Sequence, residues 1–403
     1  MIKTQLTSFF TALTLLLLIS CNTTNHGIFA KKTAREKYED RIEKIESPQV
    51  LAWKRQGEMV LQNPLTVPAP YAEHGFFAGD STDAAAFRFL VGAGQKINVS
   101  VTPVPGEVFT AFLELWDASD FSNPRLIQAA DTSMNVLEFS APAGGNFIVR
   151  LQPKMASRGK YENVLEFSAP AGGNFIVRLQ PKMASRGKYD LKILLNPILG
   201  FPISSSVKSS IGSLWGDPRD AGVRKHEGID IFAKKGSPVV AVTNGSIRRI
   251  GDGGIGGKVI WFNPDNENFS VYYAHLDTQY VVSGQQVKKG QVLGTVGNTG
   301  NARFTPAHLH FGVYTRNGPI DPLGFVKEIK EPVFATNKKL NQWYKTTAKT
   351  KLYPSPLKKN PLSLPATARI KTISISNEFY RVVLEDGSKA FVSVNELTDK
   401  MKL

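Results

Sequence analysis

The stretch His226-Glu227-Gly228-Ile229-Asp230-Ile231, which continues as FAKKGSPVVAVTNGSI to residue 247, decides the fold of the central part of the chain. Gly228 interrupts any helical pattern, and the apolar residues that follow it predict a strand that the chain enters through a turn. On a straight strand, His226 and Asp230 would lie about 13 Å apart, too far for both side chains to share one metal ion. The pair can therefore bind one ion only if the chain bends at Gly228.

Two further segments carry histidines in strand-like surroundings. His308 and His310 belong to TPAHLHFGVY at residues 305–314. Residues i and i+2 on a strand point to the same face, about 6–7 Å apart. His275 lies in VYYAHLD at residues 271–277. The segments together predict a site where one histidine of the 308/310 pair binds a metal ion and the other reaches the metal's water or the substrate.

The composition is that of an ordinary globular protein. The chain has 403 residues, of which 42% are hydrophobic and 21% charged, and this length corresponds to two or three domains. The formal net charge of +15 indicates an anionic partner: nucleic acid, anionic lipid or a cell-envelope polymer. The single cysteine, Cys21, excludes an internal disulfide and a thiolate cluster, so a metal site must use His, Asp and Glu.

Residues 1–21 predict an export signal. Lys3 provides a short basic region and residues 9–19 an apolar core, which is too short to span a bilayer. The segment ends in LISC at residues 18–21, which resembles a bacterial lipobox, so we expect Cys21 to carry a lipid anchor. Asn22 stands where a retention Asp would be, and this favours the outer membrane of the cell envelope, facing the periplasm. The alternative is an ordinary signal peptide with a chance cysteine.

The two regions that follow differ in pattern. Residues 22–64 predict a tether and then a charged helical segment. Residues 75–197 consist of short apolar runs separated by Gly, Pro, Asp and Asn, which is typical of an antiparallel β-sandwich. We find no catalytic constellation in the sequence of this sandwich.

The predicted sandwich contains an internal duplication. Residues 135–161 recur without change at residues 163–189, a period of 28. Identity this complete is unusual for a repeat fold, and we interpret it as a recent tandem duplication or as an artefact of sequence assembly. In either case it adds two candidate strands that the sandwich does not need.

The last two regions are a histidine-rich domain and a basic tail. Residues 198–330 hold four of the six histidines, and residues 331–403 predict a basic linker followed by a small SH3-like barrel. Between residues 327 and 371 there are 11 basic residues and two acidic ones. This segment is either a solvated linker or a patch that binds an anionic envelope polymer.

The histidine-rich domain closely resembles the LytM/lysostaphin-type zinc endopeptidases of peptidoglycan. The resemblance extends over residues 213–325 and rests on HEGIDI, GSPVVAVTNGSI, YYAHL, GQQVKKGQVLGTVGNTGN and HLHFGV. One departure is RFTPA at residues 303–307, a variant approach to His308. The implied architecture is mainly β: an N-terminal helical segment, a β-sandwich, a lysostaphin-like antiparallel β catalytic domain and a C-terminal SH3-like barrel.

The resemblance also implies a role for each residue of the site. His226, Asp230 and His310 would bind one Zn²⁺ per chain and leave a fourth position for water, whose pKa the metal lowers to near 7. His308 would be the general base on this water, and His275 would orient the water or stabilise the tetrahedral oxyanion. Glu227 is not assigned as a base, because its motif is not helical and two histidines fill the role.

The implied function is that of a zinc metalloendopeptidase, which hydrolyses peptide cross-links or stems of bacterial peptidoglycan. The alternative is a non-catalytic or latent wall-binding protein that activates another peptidoglycan hydrolase. True activators usually lack one or more of the site residues, and all of them are present here. The export signal and the lack of a nucleic-acid-reading motif in the sequence exclude a nucleic-acid partner. The identity of the cleaved bond stays open.

Overall fold

The computed structural model of the protein describes residues 32–80, 83–130, 136–139, 163–169, 172–332, 340–358, 360–362 and 367–403. The predicted signal peptide with Cys21, the tether up to residue 31 and most of the first duplicated copy lie outside the described residues. The described chain is mainly β, which confirms the predicted fold class. Among these residues, no helix is both long and apolar enough to cross a membrane.

Two helices precede the strands. They are α1 (Ala34–Glu43), which Thr33 caps, and α2 (Pro48–Gln62), which Ser47 caps. Helix α2 packs on the sandwich through Trp53, which is 3% exposed and whose Nε1 donates a hydrogen bond to the carbonyl of Pro181 at 2.8 Å. The helices therefore form part of the folded body.

Ten strands form the sandwich. They are β1 (Leu65–Thr66), β2 (Tyr71–Ala78), β3 (Ala85–Val91), β4 (Gln95–Pro103), β5 (Ala111–Asp117), β6 (Arg125–Ala129), β7 (Val136–Phe139), β8 (Asn163–Ala169), β9 (Gly173–Pro181) and β10 (Arg186–Pro197). One sheet has the order β1-β3-β9-β5-β6, and the other contains β2-β10-β4-β8-β7. Alternating apolar residues of both sheets form the core between them.

The second duplicated copy provides two strands of the sandwich, β8 and β9. Strand β8 pairs with β4 in one sheet, and β9 lies between β3 and β5 in the centre of the other. From the first copy, only β7 falls within the described residues. It lies at the sheet edge, parallel to β8, with each residue opposite its own duplicate, such as Val136 opposite Val164. Within the described part of the chain, β7 pairs with β8 alone, so no other described strand depends on it for backbone hydrogen bonds.

Deletion of residues 135–162 is therefore expected to leave the fold intact. The deletion joins Met134 to Asn163 and so restores the local sequence Met134-Asn135 that the chain already contains. Thermal unfolding followed by circular dichroism should show a midpoint within about 4 °C of the parent, a change of about 1 kcal/mol or less. Deletion of β9 instead should prevent folding. A strongly destabilised 135–162 deletion would show that the first copy is structurally required.

Twelve described strands lie in the central region, ten in one sheet, called the central sheet, and two in a separate hairpin. They are β11 (Ser209–Ser213), β12 (Pro218–Arg219), β13 (Arg224–Lys225), β14 (Ile229–Ala233), β15 (Pro238–Val240), β16 (Gly245–Gly251), β17 (Lys258–Pro264), β18 (Ser270–Gln279), β19 (Gln286–Val287), β20 (Val292–Val296), β21 (His308–Thr315) and β22 (Gly318–Ile320). The main order is β11-β14-β21-β18-β17-β16-β19, and β12 and β13 form a separate hairpin. A second apolar core lies within this sheet.

A short helix, α3 (Leu323–Val326), contacts the sandwich. Its Phe325 is fully buried and lies against Gly94, where a Cβ atom would come within 2.2 Å of the ring. Gly94 also has a φ of 76°, so glycine is required there both for space and for backbone conformation. This contact fixes the sandwich to the central sheet.

Five strands follow, namely β23 (Trp343–Lys345), β24 (Leu352–Tyr353), β25 (Arg369–Ser376), β26 (Phe379–Leu384) and β27 (Lys389–Ser393). Strand β25 pairs with β2, with His74 opposite Ile375, so these strands extend the second sandwich sheet as β24-β27-β26-β25-β2. Glu73 and Arg381 form a buried ion pair across this junction. The SH3-like assignment of the C-terminal region stays a prediction.

Candidate metal centre

Two neighbouring strands and the turn before one of them position the metal-binding candidates. In the antiparallel pair β14–β21, Asp230 lies directly opposite His310. His226 lies in the turn between β13 and β14. A Cβ atom on Gly228 would come within 2.6 Å of both His310 Cε1 and the carbonyl oxygen of Phe311, so only glycine fits there. The bend expected at Gly228 thus brings His226 and Asp230 together.

Three donor atoms converge at this point. His226 Nε2 lies 2.9 Å from His310 Nδ1, and Asp230 Oδ1 lies 3.1 Å from each of these nitrogens. His226 Nδ1 donates to the carbonyl of Leu214 at 2.9 Å, which leaves Nε2 free to act as a ligand. Two imidazole nitrogens and one carboxylate oxygen at this spacing fit a zinc ion.

The charges of the cluster also suit a metal cation. Burial opposes ionisation of Asp230, but hydrogen bonds and charge interactions with His226 and His310 outweigh it and hold the pKa of this carboxyl well below its usual range. Burial lowers the pKa of His310. The carboxylate is therefore ionised and His310 neutral near neutral pH, and metal binding needs both of these states.

Two more histidines line the same cleft. His308 Nδ1 donates to the carbonyl of Pro306 at 2.8 Å, and His275 Nδ1 donates to the carbonyl of Thr299 at 2.9 Å. Their ring centres lie 5.1 Å apart, and His308 Nε2 lies 3.9 Å from Asp230 Oδ1. The structure thus brings together all five histidine and aspartate residues that the sequence singled out.

The backbone at His275 is unusual. This residue has a φ of 60°, in the left-handed region, at an irregularity in the register between β17 and β18. A non-glycine residue in this region costs on the order of 1 kcal/mol and is common at functional sites. The irregularity turns the His275 ring into the cleft beside His308.

Three aromatic side chains form a part of the cleft that the sequence analysis did not identify. Trp261, Tyr272 and Tyr314 pack against one another with ring centres 4.5–5.9 Å apart. The ring centre of Tyr272 also lies 5.9 Å from that of His310. The only signal in the sequence is the alternation of side chains along strands β17, β18 and β21. This alternation places the three rings on the face of the sheet opposite the core. They add an apolar surface next to the metal-binding candidates.

The region that contains this site is similar to known proteins. Residues 224–322 match the model of Peptidase family M23. The L-Ala–D-Glu endopeptidase of Bacillus subtilis (strain 168) is 39% identical over 126 residues, which are 29% of this chain and 38% of that protein. The murein hydrolase activator NlpD of Salmonella typhimurium is 31% identical over 135 residues, which are 31% of this chain and 34% of that protein.

Among solved structures, the catalytic domain of lysostaphin from Staphylococcus simulans is similar, with 30% identity and a TM-score of 0.27. That comparison covers 30% of this chain and 92% of the lysostaphin domain. The chain spans little more than a third of the length of the two curated relatives. The resemblance predicted from the sequence is confirmed for the central sheet.

Proposed function

We propose that the chain, which carries a Peptidase family M23 domain at residues 224–322, is a zinc-dependent endopeptidase that hydrolyses peptide stems or cross-links of bacterial peptidoglycan. The observation that carries this proposal is the convergence of His226, Asp230 and His310 beside two further histidines in one cleft. Each of the five groups has the hydrogen-bond partner or charge state that its role requires.

The three converging residues would hold the zinc ion. When bound, zinc would acidify a water molecule and polarise the carbonyl of the scissile peptide bond. The chain itself supplies the proton transfers. His308 is suited to be the general base, because its Nδ1 is engaged with Pro306 and its Nε2 lies beside the metal-binding oxygen of Asp230.

The surroundings of His275 favour one of the two roles considered for it. Burial, aided by the charges of His308 and His310, lowers the pKa of His275 to about 4. Its ring is then neutral at neutral pH, and its one N–H is used by the carbonyl of Thr299. Nε2 can therefore accept a hydrogen bond from the attacking water but cannot donate one to an oxyanion. We assign His275 to orienting the water.

The cleft is accessible within the described part of the chain. All of its lining residues lie between Ser213 and Tyr314, so no described residue of the helices, the sandwich or the C-terminal strands covers it. The rings of Trp261, Tyr272 and Tyr314 offer apolar surface to uncharged parts of a peptide substrate. This openness supports an active enzyme over a latent one.

The second candidate function is activation of another peptidoglycan hydrolase. It is favoured by the similarity to NlpD, which is named a murein hydrolase activator. As stated above, true activators usually lack one or more of the site residues. The presence of His275 and His308, both held by backbone carbonyls, favours the peptidase.

The cellular setting is a further part of the proposal. Cys21 would anchor the protein to the outer membrane, facing the periplasm, where peptidoglycan is within reach. The basic segment between residues 327 and 371 would bind anionic envelope polymers. The similar Bacillus subtilis enzyme is named for the L-Ala–D-Glu bond of the peptide stem, so this bond is one candidate substrate. The other candidate is the peptide cross-link between two stems.

Digestion of purified peptidoglycan tests the proposal. The chain without residues 1–21 would be incubated with zinc, with a chelator, or as the His310→Ala variant, and the released muropeptides would be weighed by mass spectrometry. We expect cleavage with zinc and none in the other two samples. Loss of cross-linked dimers would identify the cross-link, whereas sugars that keep only L-Ala, together with a released peptide that begins with D-Glu, would identify the L-Ala–D-Glu bond. Intact peptidoglycan with one zinc bound per chain would contradict the peptidase and favour the activator.

A further inference from the structure

Arg219, which the sequence analysis did not single out, contacts the metal-binding carboxylate. Its Nη2 donates to Asp230 Oδ2 at 2.7 Å and to Ser213 Oγ at 2.7 Å. Asp230 Oδ2 is the oxygen that does not face the two histidine nitrogens, since those nitrogens lie 3.1 Å from Oδ1. The guanidinium thus occupies one carboxylate oxygen and leaves the other for a metal ion.

Residues near Arg219 in the sequence also hold His226, the first of the proposed metal ligands. Ser213 Oγ donates to Asp217 Oδ2 at 2.8 Å, and the same oxygen accepts the N–H of Leu214 at 2.8 Å. The carbonyl of Leu214 accepts the Nδ1–H of His226, and the backbone N–H of His226 donates to the carbonyl of Asp217 at 2.8 Å. One continuous hydrogen-bond network therefore connects Arg219 to both His226 and Asp230.

The backbone that follows Arg219 is strained. Asp220 and Ala221 have φ angles of 52° and 57°, and Gly222 has a φ of 94°. Two consecutive non-glycine residues in the left-handed region are costly, and such conformations persist where the surrounding structure imposes them. The strained turn closes the β12–β13 hairpin and directs Arg219 back toward Asp230.

We propose that Arg219 is a positioning residue that determines which oxygen of Asp230 binds the metal. With Oδ2 engaged by the guanidinium of Arg219, Asp230 is confined to one ligand atom, Oδ1. A single carboxylate oxygen leaves a coordination position open, which a catalytic zinc site requires. This inference rests on the proposed function, because it assumes a zinc site at His226, Asp230 and His310.

Zinc affinity provides the first test. The full chain, purified in detergent and freed of metal, would be titrated with zinc in competition with a chromophoric chelator. We expect Arg219→Met to bind zinc about 10- to 100-fold more weakly than the parent, the usual effect of removing a partner of a metal ligand. Arg224→Met removes an arginine of the same hairpin whose ion-pair partner, among the described residues, is Asp220 and not Asp230, so this variant should keep the parent affinity. Thermal unfolding of the metal-free proteins would show whether both variants fold.

Substitution of Co²⁺ for zinc provides a second test, which reports the number of ligands on the metal ion independently of activity. The visible spectrum of Co²⁺ differs between four and five ligands, and we expect Arg219→Met to change it because Asp230 can then bind through both oxygens. Equal zinc affinity and identical cobalt spectra for the parent and a folded Arg219→Met variant would overturn the inference about Arg219 alone. No zinc binding by the parent would overturn both proposals. Tight zinc binding without hydrolysis would overturn only the peptidase.

Discussion

Asp230→Ala is expected to abolish zinc binding and hydrolysis together, whereas His308→Ala is expected to lose hydrolysis but keep the metal. Asp230 Oδ1 is one of the three converging donor atoms, and two histidines alone would leave an incomplete site. His308 lies in the cleft, but its Nε2 is 3.9 Å from Asp230 Oδ1, outside the triad of donors. Loss of a general base typically lowers the rate about 10²- to 10⁴-fold.

The two variants would be compared by metal analysis after dialysis and by the rate of muropeptide release. Glu227→Gln is the matched control, because Glu227 is exposed and adjacent to His226 but has no role in the proposed mechanism. It should retain activity near that of the parent. If His308→Ala kept most of its activity, the assignment of the base would be wrong. If Glu227→Gln lost it, the base would have to be sought at Glu227.

The parts of the site that the sequence predicted depend on the geometry of residues that are close together in the chain. The i, i+2 spacing of His308 and His310 places both side chains on one face of a strand, and Gly228 permits the bend before Asp230. A fold that pairs β14 with β21 then brings these local arrangements together. The family resemblance implied that His226, Asp230 and His310 share one metal ion, whereas the spacing within one segment does not indicate which strands become neighbours.

The contacts that the sequence did not predict are those between distant segments or across an irregular turn. Arg219 reaches Asp230 only because three residues after it adopt left-handed backbone conformations, two of them without being glycine. No local pattern identifies such a turn, since alanine and aspartate are common in ordinary loops. The aromatic group of Trp261, Tyr272 and Tyr314 likewise comes from three strands and is visible only once their register is known.

The junction between strands β2 and β25 is the clearest long-range case. The sequence predicts a small SH3-like barrel in the C-terminal region but does not predict that its strand β25 pairs with β2 of the sandwich sheet. Glu73 and Arg381, more than 300 residues apart, form the buried pair that joins them. A charged residue within an apolar strand gives no indication of its partner, so neither could be assigned from the sequence.

Arg381→Met is expected to destabilise the protein by about 3–5 kcal/mol, the usual cost of leaving one charge of a buried ion pair without its partner. Glu73 is fully buried and Arg381 is 2% exposed, with 2.6 Å between Arg381 Nη2 and Glu73 Oε1. Ser374, Tyr71 and Tyr189 also donate to the carboxylate of Glu73, but none of these neutral groups can neutralise it. Denaturation in urea, followed by tryptophan fluorescence, would measure the loss.

The double variant Glu73→Leu/Arg381→Met separates a charge effect from a packing effect. Removal of both charges leaves no unpaired ion, so the double variant should be more stable than Arg381→Met alone. The matched surface control is Arg369→Met, which breaks an exposed pair with Glu385 and should cost less than about 1 kcal/mol. A loss for Arg381→Met no larger than that of the surface control would mean that the C-terminal strands do not depend on this pair. The predicted larger loss would show that they fold as one unit with the sandwich, because the junction that Arg381 completes is then part of its core.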